Sequence, residues 1–365
     1  MSIRRRVLGV TAGALGVAAA GTAVGIARQS RAIDRRRGET FAFGSLRSTP
    51  VTVVAEDGVP LHVEVDELDP EPQPRGRRRR SAEGPAVTVV FAHGYCLNLD
   101  SWHFQRAAYR GLVRSVYYDH RSHGRSGRSG RAHATIDQLG RDLKQILDEV
   151  VPDGAVVLVG HSMGGMTVIA LAEQFPELFG ERVIGVGLVS TTAGGLDPTR
   201  ILLPMIPTRL SGGLTQRLTH GAVSTLHRGH RAVDGLRRAG RAVAAVATDV
   251  FAFGEEVPRE YVDFVDEMLS ATPFEVVAEF FPSFGSLDKF EIVDVLGRVP
   301  TVIICGTADK LTSIGHSRKL HERIAGSRLL ECDGAGHMVP LERHDQVTAE
   351  LDQLITAAAA RAGAR

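Results

Sequence analysis

From residue 86 onward the chain alternates short apolar runs with stretches of helical spacing, and this alternation constrains the fold more than any other feature. Ala86–Phe91, Gly111–Tyr118, Ala155–Val159, Arg182–Val189, Pro300–Cys305 and Ser327–Glu331 read as strands. Runs such as Ala86–Phe91 are apolar on both alternating sets of positions, interrupted only by Thr88, so such a strand has to be covered on both faces. Between the strands, Thr135–Val150 carries Ile136, Leu139, Leu143, Ile146 and Leu147 at helical spacing, and Met166–Phe175 also reads as helical. A further helix is expected between the last two strands, and a final one over residues 345–360. Alternating β and α elements imply an α/β fold with a mostly parallel sheet and helices on both faces. Upstream, Val51–Glu56 and Leu61–Glu67 alternate around Asp57-Gly58, the pattern of a β-hairpin with an Asp-Gly turn.

Residues 191–290 interrupt the rhythm. They are helical in tendency and contain Phe251, Phe253, Phe264, Phe274, Phe280, Phe281 and Phe284. A stretch of that length without strands is too long for a loop, so a helical cap, or lid, is expected there. The core then comprises residues 50–190 and 291–360. Residues 68–85, with Arg77-Arg78-Arg79-Arg80, show no core pattern and read as an exposed loop; a patch for nucleic acid or anionic lipid is the alternative. Net charge is +1, which gives no general argument for a nucleic-acid partner.

Residues 1–40 are expected to lie outside the fold. Arg4-Arg5-Arg6 precede an uncharged run from Val7 to Ala27, and Arg28, Arg31, Arg35, Arg36 and Arg37 follow it. As a helix the run would be about 31 Å long, enough to cross a bilayer. Three readings stand: an uncleaved membrane anchor, an export signal (secretory or twin-arginine), or a cytoplasmic chain with a loose tail. The three cysteines, Cys96, Cys305 and Cys332, are an odd number with no CxxC pair, and read as buried thiols.

Gly160-His161-Ser162-Met163-Gly164 follows the strand Ala155–Val159 directly and precedes a helix. A nucleophile on such a sharp turn is lifted out of the sheet, and flanking glycines leave room where strand and helix nearly touch. A serine hydroxyl needs a base, and the base needs an orienting acid, expected downstream in the order acid, then histidine. Asp309 follows the strand Pro300–Cys305, and His337 sits in Gly334-Ala335-Gly336-His337-Met338 after the last strand. Both belong to the sheet edge where ligands of open α/β folds collect. Ser162, Asp309 and His337 are therefore the expected nucleophile, acid and base. The backbone N–H groups of Met163 and Tyr95 are the expected oxyanion donors, the latter in His93-Gly94-Tyr95-Cys96 after the first core strand. His93 is expected to hold that loop and His161 to pack or hydrogen-bond locally. Asp119–Ser126 contains His120 and His123; a structural loop is the expectation there, with a metal site as the weaker reading.

At these residues the sequence resembles the α/β-hydrolase superfamily. His93-Gly94, Asp119 with Arg121, Gly124 and Ser126, Gly160 to Gly165, Asp309 and His337 match its pattern over residues 50–360. Ser122 departs from it, standing where a glycine is usual. The resemblance implies an eight-stranded sheet with a helical cap, no metal and no organic cofactor. It also implies acyl-serine chemistry, because the epoxide hydrolases and haloalkane dehalogenases of this group carry aspartate at the elbow. The expected function is hydrolysis of small-molecule carboxylic esters with medium or long apolar acyl chains. Carbon–carbon bond hydrolysis and cofactor-free haloperoxidase activity use the same triad, and a non-enzymatic binding protein is the rival of a different class. The phenylalanines of 251–284 line the acyl pocket on one reading and form the cap's own core on the other.

Overall fold

The computed structural model describes Gly25 and residues 28–69, 87–196 and 241–363. Its strands are β1 (Pro50–Val54), β2 (Pro60–Asp66), β3 (Val87–Ala92), β4 (Arg114–Tyr118), β5 (Ala155–His161), β6 (Val183–Val189), β7 (Thr301–Gly306) and β8 (Arg328–Cys332). They form one eight-stranded sheet in the order β1-β2-β4-β3-β5-β6-β7-β8. β1 and β2 are the expected hairpin, and β2 runs antiparallel to β4; all other neighbours are parallel. The C-terminal ends of β3, β5, β6, β7 and β8 thus share one edge.

The unbroken apolar runs are explained by two cores, one on each face. Val90, Ala92, Val156, Leu158, Val186 and Leu188 point to one face and pack on α2 (Ile136–Val150) and α3 (Met163–Gln174). Val89, Phe91, Val157, Val159, Val302 and Ile304 point to the other, against α1 (His103–Tyr109) and the long α9 (His344–Gly363). Between β7 and β8 lies α7 (Ile314–Arg323), and α8 (Val339–Glu342) precedes α9.

The described part of residues 191–290 is helical: α4 (Arg241–Ala252), α5 (Arg259–Ala271) and α6 (Phe274–Gly285) stand between β6 and β7. The phenylalanines divide between two clusters. Phe253 and Phe264 belong to a cluster shared by α4, α5, Phe104 and Met338. Phe280 and Phe284 instead pack on Met163 and Met166 of α3, with Tyr95 alongside.

The boundary expected at residue 40 lies too late. Residues 28–35 are helical, and Ile33, 1% exposed, is buried in the cluster of α4 and α5. Arg36 forms an ion pair with the buried Asp249 of α4, and Phe43 stacks on Phe264 at 4.4 Å and 10°. Their partners lie more than 200 residues away, so no local apolar pattern announces them. The arginine run 77–80 and, apart from Gly25, the apolar run 7–27 lie outside the described residues. Among the described residues no helix is long and apolar enough to cross a membrane.

Candidate active site

Ser162 is the turn between β5 and α3, and its backbone has φ 51° and ψ −116°, a region that side-chain-bearing residues rarely enter. The glycines around it are there because of crowding. A Cβ on Gly160 would lie 2.4 Å from the Gly164 backbone, and one on Gly164 would lie 2.1 Å from the Ala92 carbonyl oxygen. Only glycine at both positions lets α3 start directly against β3 and β5. Ser162 is 8% exposed, and its Oγ has no hydrogen-bond partner among the described residues. Serine–base hydrogen bonds are often long in unliganded enzymes.

Asp309 and His337 are brought together at the same edge. His337 Nδ1 lies 2.9 Å from Asp309 Oδ2. The loops that carry them are joined by Thr307 N–H to Cys332 O (3.0 Å) and Ala308 N–H to Ala335 O (2.9 Å). Burial works against ionisation of Asp309, but the His337 ring and hydrogen bonds from the Leu311 N–H and Thr312 hydroxyl outweigh it and hold the carboxyl below its ordinary range. Thr312, which no sequence signal singled out, has its hydroxyl 3.0 Å from Asp309 Oδ2, 3.3 Å from His337 Nδ1 and 2.8 Å from the Ser190 carbonyl oxygen.

His161 ties His337 to the elbow. Its Nε2–H donates to the His337 carbonyl at 3.0 Å, and the two rings are 4.9 Å apart. A Cβ on Gly94 would lie 2.8 Å from His161 Nδ1, which accounts for glycine in the loop after β3. That loop turns at Gly94–Leu97, closed by Leu97 N–H to Gly94 O (3.1 Å), and brings Tyr95 beside the start of α3. The Tyr95 hydroxyl donates to Val277 O of α6 at 2.6 Å. Met163 N–H, the first of α3, has no acceptor among the described residues, as helix N-termini leave their first donors unpaired.

Behind these groups the Asp119–Ser126 loop is structural. His93 Nε2 accepts from His120 N–H (2.9 Å), and His120 Nε2 lies 3.1 Å from the His93 carbonyl oxygen. Asp119 accepts from Leu99 N–H (2.7 Å) and Arg125 N–H (2.8 Å). Arg121, fully buried, bridges Asp142 and Asp57. Ser122 sits at φ 63°, the left-handed conformation that explains the usual glycine, and its Oγ accepts from Ser129 N–H at 3.0 Å. Among the described residues no group of three or more His, Cys, Asp or Glu is arranged to hold a metal ion, and the three cysteines are buried and form no disulfide. A cavity of about 310 Å³ lies at the opposite sheet edge, beside Ala155, Ile184, Val299 and Arg361, and contains none of these groups.

The buried histidines set a pH limit. Burial pushes His120 and His161 down to about 3 and His123 to about 4, and holds His93 well below its ordinary 6.5. Neighbouring histidine charges add to this for His93, His120 and His161. In the unfolded chain all four take up a proton near 6.5. Their neutral state is thus compatible with full stability above that pH, and stability falls as pH drops from 6.5 towards the folded values. The expected loss is about 1.4 kcal/mol per pH unit for each histidine held neutral. The urea midpoint should fall steeply between pH 7 and 5; a flat profile would mean that these rings protonate in the folded protein.

Residues 89–351 match the Alpha/beta hydrolase family. Epoxide hydrolase A of Mycobacterium tuberculosis is 27% identical over 308 residues, covering 76% of this chain and 92% of that protein. Monoacylglycerol lipase of Mycolicibacterium smegmatis is 28% identical over 186 residues, 48% of this chain and 65% of the lipase. Among solved structures, the enol-lactonase of Burkholderia xenovorans superposes with a TM-score of 0.62 at 23% identity, over 84% of this chain and all of that one. A thermophilic esterase of Thermogutta terrifontis gives 0.63 at 21% identity, over 86% of this chain and all of that one. With the family match spanning most of the chain and the eight-stranded sheet in place, this protein belongs to the alpha/beta hydrolase family.

Proposed function

We propose that the chain is a serine hydrolase that cleaves carboxylic esters with apolar acyl chains through an acyl-serine intermediate. One observation carries the reading: the Asp309–His337 pair, 2.9 Å apart, is fastened through His161 to the strained turn that presents Ser162. In this reading His337 Nε2 takes the Ser162 proton as Oγ attacks the ester carbonyl. Asp309 holds the Nδ1–H tautomer and stabilises the imidazolium. The Met163 and Tyr95 N–H groups receive the oxyanion. The imidazolium then protonates the leaving alcohol, and a water activated by His337 releases the acid. Serine at 162 favours acyl transfer over the alkyl-ester chemistry expected of an aspartate there. The cluster of Phe280, Phe284, Met163, Met166 and Leu196 beside Tyr95 supports an apolar acyl side, and the lipase and esterase relatives support an ester substrate.

A fluorophosphonate probe should label Ser162, and p-nitrophenyl esters of medium or long acyl chains should turn over. Labelling without turnover of any ester would overturn the ester reading, and turnover of a vinylogous diketo acid would then assign carbon–carbon bond hydrolysis instead.

A further inference from the structure

Glu342 closes α8, five residues after His337, and its carboxylate is half-buried. It makes no ion pair with the neighbouring Arg343, which reaches Glu255 (2.8 Å) and the Asp333 carbonyl oxygen (3.0 Å) instead. The two Glu342 oxygens are divided between two chain segments. Oε1 accepts from the N–H of Gly336, the residue before His337, at 2.7 Å. Oε2 accepts from the N–H of Gly254, just past the end of α4, at 3.0 Å. Burial raises the carboxyl's pKa, and the Gly254, Gly336 and Glu255 N–H groups oppose the rise.

The same two segments are locked backbone to backbone. Met338 N–H donates to Ala252 O at 2.8 Å. A Cβ on Gly336 would lie 2.4 Å from Gly254 N, and one on Gly254 would lie 2.1 Å from Gly334 O. The base is thus carried on a run of small residues, Gly334-Ala335-Gly336, that has little stiffness of its own. From outside it is held by the Asp309 loop, through Thr307 and Ala308, by His161, and by the insertion, which reaches it through Met338 and Glu342. The Asp309 side is tied to the same helix, since Lys310 Nζ donates to Val250 O at 2.6 Å.

We infer that Glu342 is a positioning residue for His337, clipping the loop of the base to the end of α4 so that the helical insertion sets where the imidazole stands. The inference rests on the reading of Ser162, Asp309 and His337 as the hydrolytic groups. Its consequence is geometric. A general base acts only within hydrogen-bond reach of the proton it takes, and a displacement of about 1 Å costs on the order of 100-fold in rate.

E342Q keeps one carbonyl oxygen and turns an NH2 towards the second N–H donor, so one tie is lost. E342D keeps the charge but is one methylene short of spanning both donors, and it serves if the glutamine variant does not fold. In the full chain both should lower kcat by about 10- to 100-fold with KM within about twofold. The rate of fluorophosphonate labelling should fall in parallel, and the acid limb of the kcat–pH profile, where the base is protonated, should move. A merely structural role would lower the labelled fraction and leave the limb in place. Wild-type kcat and an unmoved limb in both folded variants would overturn the inference. If wild-type Ser162 does not label, the ester reading falls separately. The NMR titration of the His337 ring then decides: a curve changed by E342Q or E342D upholds the clip, and superimposable curves overturn it.

Discussion

Ser162→Gly is expected to abolish turnover and to raise the melting temperature. The activity loss follows from the missing nucleophile and should be about 10⁴- to 10⁶-fold in kcat. The gain in stability follows from the backbone. At φ 51° and ψ −116° a residue with a Cβ is strained by about 1–3 kcal/mol, and glycine is not. The greater freedom of glycine in the unfolded chain takes back about 0.5–1 kcal/mol. The hydroxyl has no hydrogen-bond partner among the described residues, so little else is lost with it. A net gain of about 1 kcal/mol in a chain of this size corresponds to a rise of about 1–2 °C by calorimetry. A fall in melting temperature would mean that the turn is relaxed around serine, and that the elbow is not where this protein trades stability for reactivity.

Much of this arrangement is readable from sequence because it depends on local order. Strands buried on both faces announce themselves as apolar runs, and β5, β6, β7 and β8 begin and end within two residues of the expected limits. β4 is the exception at its start. Gly111, at φ 77°, makes only an isolated bridge to Leu68, and the continuous ladder begins at Arg114. Ser162, Asp309 and His337 stand out because each follows a strand in a fixed chain order. Contacts between distant segments leave no such mark. Glu342 looks like an ordinary helical carboxylate until Gly254 is brought beside Gly336. Arg36 looks like one of many N-terminal arginines until Asp249 is buried against it. The same holds for His161, whose partner is a carbonyl 176 residues away.

Asp309→Asn should lower kcat by about 10⁴-fold while leaving the fold and KM nearly unchanged, and the geometry dictates why. Oδ1 of Asp309 accepts two backbone donors, Leu311 N–H at 2.8 Å and Thr312 N–H at 2.9 Å. An asparagine must therefore place its carbonyl oxygen at that position, because an NH2 there would face two N–H groups. Its NH2 is then forced to the Oδ2 position, 2.9 Å from His337 Nδ1. Facing a donor, Nδ1 becomes an acceptor, and the ring proton moves to Nε2, the nitrogen that has to receive the Ser162 proton. The Thr312 hydroxyl can turn to donate to the Ser190 carbonyl, 2.8 Å away, while accepting from the new NH2, so only the weak contact of the Cys305 thiol with Oδ2 (3.9 Å) is given up. The variant should melt near the wild-type temperature and bind ester as before, yet label with fluorophosphonate orders of magnitude more slowly. Activity within tenfold of wild type would show that the tautomer of His337 is set by another group, and Asp309 would then lose its role.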